Sequence, residues 1–152
     1  MPKEQNPKEK NEMADRPQWE KINVGQEIPP YRVPISLVRM MMYAAATWNP
    51  YQLHWDSDFS KKRGFKDANI AGPMFGDYLA EMLSQWAGEP SYLRSLEYSN
   101  RDMAFPGDTL IFRGKVKEKR REGDTGLADC QVWVENQQGR ILVEGSATVG
   151  IS

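Results

Sequence analysis

Gly72-Pro73-Met74-Phe75-Gly76-Asp77-Tyr78-Leu79-Ala80-Glu81-Met82-Leu83-Ser84-Gln85-Trp86-Ala87-Gly88 is the longest helical pattern in the chain, and together with the alternating segments on its C-terminal side it decides the fold class. Pro73 suits a first turn, where the missing N–H has no intrahelical acceptor to lose, and Gly88 is a natural C-cap. Met74, Tyr78, Leu79, Met82, Leu83 and Trp86 recur at helical spacing, while Asp77, Glu81, Ser84 and Gln85 take the other side. A helix with one apolar face needs a partner surface. From Tyr92 onward the period changes to two and supplies it: Leu110, Phe112, Gly114 and Val116 alternate with Thr109, Arg113, Lys115 and Lys117. Ala128, Cys130, Val132 and Val134 share one face of a second strand, and Ile141, Val143, Gly145, Ala147 and Val149 one face of a third. The breaks at Gly123-Asp124 and Gln138-Gly139 are short, so these strands pair antiparallel with the long helix as cover. The class is α+β.

Upstream of the long helix, Ser36 offers an N-cap to a segment rich in Leu, Met and Ala that runs to the turn at Asn49-Pro50. Its composition is apolar on most sides, which predicts burial. Asp56 to Gly64 reads as a short helix with Asp56 as N-cap, an acidic start, a basic end and a glycine stop. Trp19 to Ile35 reads as one or two extended segments broken by Gly25 and Pro29-Pro30, with Ile22 and Val24 as anchors. Residues 1–16 carry charge, Pro and Asn with almost no apolar content, the composition of a disordered tail; residues 17–152 form the folded domain.

With 152 residues, 20 Lys+Arg and 21 Asp+Glu, the chain has a net charge of -1 and no field to attract nucleic acid or an anionic membrane. The basic run Lys115 to Arg121 reads as a solvated strand end. No apolar run approaches the roughly 18 residues that span a bilayer, and the amino terminus lacks the pattern of a signal peptide. The single Cys130 forms no internal disulfide and suits a reducing compartment, so the expected location is the cytoplasm. One His and one Cys far apart give no metal-ligand spacing, so no metal is expected.

His54, the only histidine, lies between the two longer helical segments and is the one side chain whose ordinary pKa of about 6.5 suits proton transfer near neutral pH. Alone it reads as a residue that hydrogen-bonds its own turn. Its surroundings say more. Asn49-Pro50-Tyr51-Gln52-Leu53-His54-Trp55-Asp56 resembles the hydratase signature of the MaoC-like family, written Asp-x-Asn-Pro-x-His-x-Asp. Ile70-Ala71-Gly72-Pro73-Met74 is similar to the family's second motif, a hydrophobic pair and His-Gly before the central helix, with Ala71 in place of histidine. Phe105-Pro106-Gly107-Asp108-Thr109-Leu110 is similar to its Pro-Gly-Asp turn. Order and spacing carry the resemblance over roughly residues 20–150, since each piece alone is a generic turn.

The resemblance implies a hot dog fold, an antiparallel sheet wrapped around the long helix, and hydration of 2-enoyl thioesters or dehydration of 3-hydroxyacyl thioesters. Coenzyme A would be part of the substrate and no separate cofactor is implied. One departure bears on mechanism. The family's catalytic Asp falls on Asn49 when aligned on His54, or on Thr47 when aligned on Asn49-Pro50; neither is a carboxylate. Thr47 to Asp56 follows instead a Thr-x-Asn-x-x-x-x-His-x-Asp string that some relatives carry. The resemblance thus implies His54 as general base, Asn49 holding the water and the Gly72 N–H stabilising the thioester oxyanion. Tyr43, Trp48, Tyr51 and Met74 would wall the acyl pocket, with Trp55 and Trp86 nearby. The partner expected is a second copy or a related hot dog subunit. Two alternatives stay open: a degenerate partner subunit of a heteromeric hydratase acting on bulky acyl chains, as in fatty acid or steroid metabolism, and a thioesterase or acyl-binding protein. The last would need a carboxylate on the central helix, where Asp77 and Glu81 face away from the core.

Overall fold

Period-two stretches become strands and the glycine breaks between them become hairpins. The computed structural model describes residues 19–151. The expected tail, residues 1–16, lies outside the described residues, and the expected domain is described from residue 19. The strands are β1 (Glu27–Pro34), β2 (Tyr92–Asn100), β3 (Thr109–Glu122), β4 (Thr125–Asn136) and β5 (Ile141–Ile151). They form one sheet of order β1-β3-β4-β5-β2, antiparallel throughout. Gly123 and Gly139 sit at the two hairpin breaks with φ of 58° and 77°, where a side chain would be strained.

The region from Trp19 to Ile35, expected to be extended, begins with a 3-10 turn at Trp19–Lys21 and then forms one strand. Proline has no N–H for a sheet ladder, yet Pro29 and Pro30 lie within β1 because it is an edge strand whose register with β3 shifts between Ile28 and Tyr31. Ile22 is buried as expected. Val24 is 63% exposed, because it occupies a turn closed by Gln26 N–H on Asn23 O; Ile28 fills the core instead.

Helix α1 spans Leu37–Ala46, α2 Ser57–Lys62 and α3 Gly72–Ala87. Ser36 Oγ accepts from Arg39 N–H at 3.1 Å and Asp56 Oδ1 from Phe59 N–H at 2.9 Å, the two caps the sequence offers. α3 buries Met74, Phe75, Leu79, Met82, Leu83 and Trp86 against β1, β2, β3 and β5, each fully buried large side chain contributing on the order of 2 kcal/mol. Asp77, Glu81, Ser84 and Gln85 stay exposed. Gly88, at φ 65°, ends the helix. α1 departs from its reading as a buried helix. Only Met40 and Ala44, one row at i and i+4, are buried, and Val38, Met41 and Met42 are exposed because no element among the described residues covers their side.

Candidate functional site

The sequence between α1 and α3 folds as a series of short turns that bring its polar groups toward the start of α3. A one-turn 3-10 helix, Gln52–His54, presents the histidine. Asp56 N–H donates to Gln52 O at 2.8 Å and the indole N–H of Trp55 to Pro50 O at 3.1 Å, closing the turn from both sides. The segment just before α3 is tied to it: Asn69 N–H donates to Leu53 O at 3.1 Å, and Ser60 Oγ donates to the same carbonyl, also at 3.1 Å. Ile70 N–H, bonded to Ala104 O at 3.0 Å, fastens this segment to the loop ahead of β3.

His54 is half-buried, and its Nδ1 lies 2.9 Å from the main-chain oxygen of Asn69. A carbonyl only accepts, so Nδ1 carries the proton and donates, leaving the Nε2 lone pair as the acceptor of the neutral ring. The ring of Tyr51 meets the imidazole edge-on, with centroids 5.8 Å apart.

Three residues after Asn69, Gly72 begins α3. The capping position is Ala71, which has no side-chain oxygen to offer; Pro73 has no N–H and Met74 N–H is bonded to Ala71 O at 3.0 Å, so the donor left at this positive helix end is Gly72 N–H. Gly72 O accepts from Tyr98 OH at 3.3 Å, and a Cβ on Gly72 would fall 2.5 Å from Asn100 Nδ2. Burial raises the pKa of the Tyr98 phenol, helped by the charge of Asp77.

Of the other expected site residues, Asn49 is half-buried and its N–H donates to Ala44 O at 2.8 Å, holding it at the exit of α1. Tyr43 donates to Asp77 Oδ2 at 2.5 Å and so bridges α1 to α3; burial, then this bond, raises its pKa. Met74 is fully buried in the core below the helix start. Trp48 is 90% exposed and Tyr51 about half exposed. Trp48 also holds a left-handed backbone, φ 53°, uncommon for a large side chain. With Met41, Ala44, Ala45, Pro50 and Trp55 it lines an apolar hollow of about 330 Å³ on the same loop as His54.

Asn69 escaped sequence reading. Its one signal is a polar residue inside the apolar run Ala68-Asn69-Ile70-Ala71. Cys130 is no nucleophile here, since burial, then the charge of Asp129, pushes its thiol up to about 12. Among the described residues no group of His, Cys, Asp or Glu is arranged to hold a metal ion, and no helix is long and apolar enough to cross a membrane.

A family model described as MaoC like domain matches residues 21–137. The chain is 28% identical over 72 residues to Hydroxyacyl-thioester dehydratase type 2, mitochondrial, of Saccharomyces cerevisiae, a stretch that is 47% of this chain and 25% of that protein. The match therefore spans about a quarter of the yeast protein's length. Among solved structures, an (R)-hydratase from A. caviae involved in PHA biosynthesis superposes with a TM-score of 0.80 at 22% identity, over 88% of this chain and 99% of that one. A chain of the ChsH1-ChsH2 complex from Mycobacterium tuberculosis gives 0.77 at 21% identity, over 86% and 98%. At such identities the likeness of the solved structures speaks for the fold.

Proposed function

The chain belongs to the MaoC-like domain family and has its hot dog fold, and from that premise we propose that it is an acyl-CoA hydratase or dehydratase with His54 as its general base. The observation that carries this reading is the bond from His54 Nδ1–H to Asn69 O, which leaves Nε2 free to take a proton. A water held by Asn49 adds through its oxygen to the β-carbon of a 2-enoyl thioester while its proton passes to Nε2. The electron pair of the double bond moves onto the thioester carbonyl as an enolate, stabilised by Gly72 N–H and the helix dipole. The imidazolium then returns the proton to the α-carbon, and dehydration is the reverse. Coenzyme A is part of the substrate and no other cofactor is required. Tyr43, Trp48, Tyr51 and Met74 belong to the acyl side of the site. A single, buried thiol suits a cytoplasmic setting.

One observation favours a second reading, a subunit that works with a related hot dog chain. Val38, Met41, Met42, Trp48 and Tyr51 expose a large apolar area beside the loop that carries His54, and a partner chain would cover it. A thioesterase draws less support, because the carboxylates of α3 are already engaged: Asp77 by Tyr43, and Glu81 by Tyr31 and Gln85.

The test is hydration of crotonyl-CoA and of a longer enoyl-CoA by the purified protein beside His54→Ala. Turnover that falls by at least a hundredfold in the folded variant supports the single-base hydratase. A folded wild-type protein that turns over neither substrate overturns it and favours the partner-subunit reading.

A further inference from the structure

Among the described residues two buried side-chain donors have no hydrogen-bond partner in the protein: the indole N–H of Trp19 and Nδ2 of Asn69. Trp19 packs on Gly126 of β4, under the Lys119 ammonium. Asn69 stands in the candidate site. It is only 6% exposed, and an amide hydrogen sealed from water without an acceptor costs about 1–3 kcal/mol. Leucine, branched at the same carbon and with nothing to satisfy, would avoid that cost in a segment otherwise built of Ala68, Ile70 and Ala71. An idle donor in an apolar run is therefore a position where something other than stability sets the residue.

The backbone of Asn69 ties the residue to both parts of the candidate site. Its N–H is bonded to Leu53 O and its carbonyl accepts a hydrogen bond from His54 Nδ1–H, so the residue is joined both to the base and to the residue before it. Three positions later the uncapped first turn of α3 begins at Gly72. Asn69 is thus the link between the group that takes a proton and the group that meets the developing charge. An oxyanion is best held by more than one donor, and Gly72 N–H is a single one.

We propose that Asn69 Nδ2–H is the second donor to the thioester oxygen, acting with Gly72 N–H on the enolate that forms as water adds; this rests on the hydratase reading. No bond to Asn69 is made or broken. Its amide gains its acceptor when the substrate carbonyl enters, and most strongly when that oxygen carries the negative charge.

Two probes separate this inference from the reading beneath it. The first is hydration of crotonyl-CoA by the full chain and by Asn69→Leu, with Asn69→Ala as a second variant that adds no branched bulk. The second is acetoacetyl-CoA, a dicarbonyl thioester whose enolate is seen by its ultraviolet absorbance, so that its ionisation on the protein reports the oxyanion donors without turnover. The expected result is a kcat lower by on the order of a hundredfold with KM changed only a few-fold. Both variants should keep the wild-type melting temperature to within a few degrees and hold a smaller fraction of acetoacetyl-CoA as enolate at a given pH. A folded variant with wild-type kcat and wild-type enolate absorbance overturns the inference and leaves the hydratase reading standing. A wild-type protein that hydrates nothing yet ionises acetoacetyl-CoA in an Asn69-dependent way overturns the hydratase reading, and with it the role of Asn69 in hydration, and leaves Asn69 only as a donor to a bound thioester oxygen. Wild-type protein that does not ionise acetoacetyl-CoA, or two variants that both fail to fold, overturns the role of Asn69 as a donor.

Discussion

His54 is oriented by a main-chain carbonyl, where many catalytic histidines are oriented by a carboxylate. A carbonyl fixes the tautomer, but in the proposed hydration it would give the imidazolium less electrostatic help than an aspartate, so more of the barrier would fall to the groups that meet the oxyanion. Gly72 is the direct test of that balance. Its backbone needs no positive φ, and a Cβ there would meet only Asn100 Nδ2, the far end of an exposed side chain that can swing aside. Gly72→Ala should therefore fold with a melting temperature near wild type. In the proposed hydratase the methyl would nonetheless stand beside the N–H that the thioester oxygen approaches. The rate of enoyl-CoA hydration should fall by roughly tenfold to a hundredfold, the penalty of misplacing a reacting group by about 1 Å. Parallel thermal melts and initial-rate assays check the pair of outcomes, and a variant that keeps full kcat/KM removes Gly72 from the site.

One turn further along α3 the same substitution has the opposite consequence. A Cβ on Gly76 would lie 2.5–2.7 Å from the hydroxyl and two ring carbons of Tyr98, which β2 holds between the sheet and the helix. The ring cannot move without disturbing its bond to Gly72 O, so Gly76→Ala should cost about 1–3 kcal/mol, read as a lower midpoint in urea unfolding. The contrast shows what a sequence can carry. The span of α3, its proline start, its glycine C-cap and most of its buried row were legible because period, proline and glycine are local signals. The hairpins were legible at Gly123 and Gly139 for the same reason. The two prolines in β1 misled because proline excludes a central strand but not an edge strand, and edge position is a property of the whole sheet. His54 stood out as the only histidine. Asn69 did not, since its significance lies in a bond to a residue 15 positions earlier and in an absence of partners, neither of which has a sequence period.

At the scale of the molecule the unsolved term is the outer side of α1. Val38 and Met42 are 65% and 68% exposed, and Trp48 beside them sits in a backbone conformation that is strained for a side chain with a Cβ. Both features cost free energy in an isolated chain. A covering surface offsets them by removing apolar area from water at roughly 25 cal/mol per Å², and the hollow lined by Met41, Trp48 and Trp55 gives such a surface somewhere to insert. The expected particle at micromolar concentration therefore has at least twice the mass of the chain when this protein is alone, or joins a related chain when one is supplied. Light scattering on wild type and on a Val38→Asp/Met42→Asp double variant tests the point. Neither side chain contributes to the core, so the variant should keep the wild-type circular dichroism spectrum while its scattering mass drops to that of one chain. Wild-type protein that scatters as one chain, with or without a hot dog partner present, would leave the α1 face without an occupant. It would then favour the apolar hollow as a site for the acyl group itself.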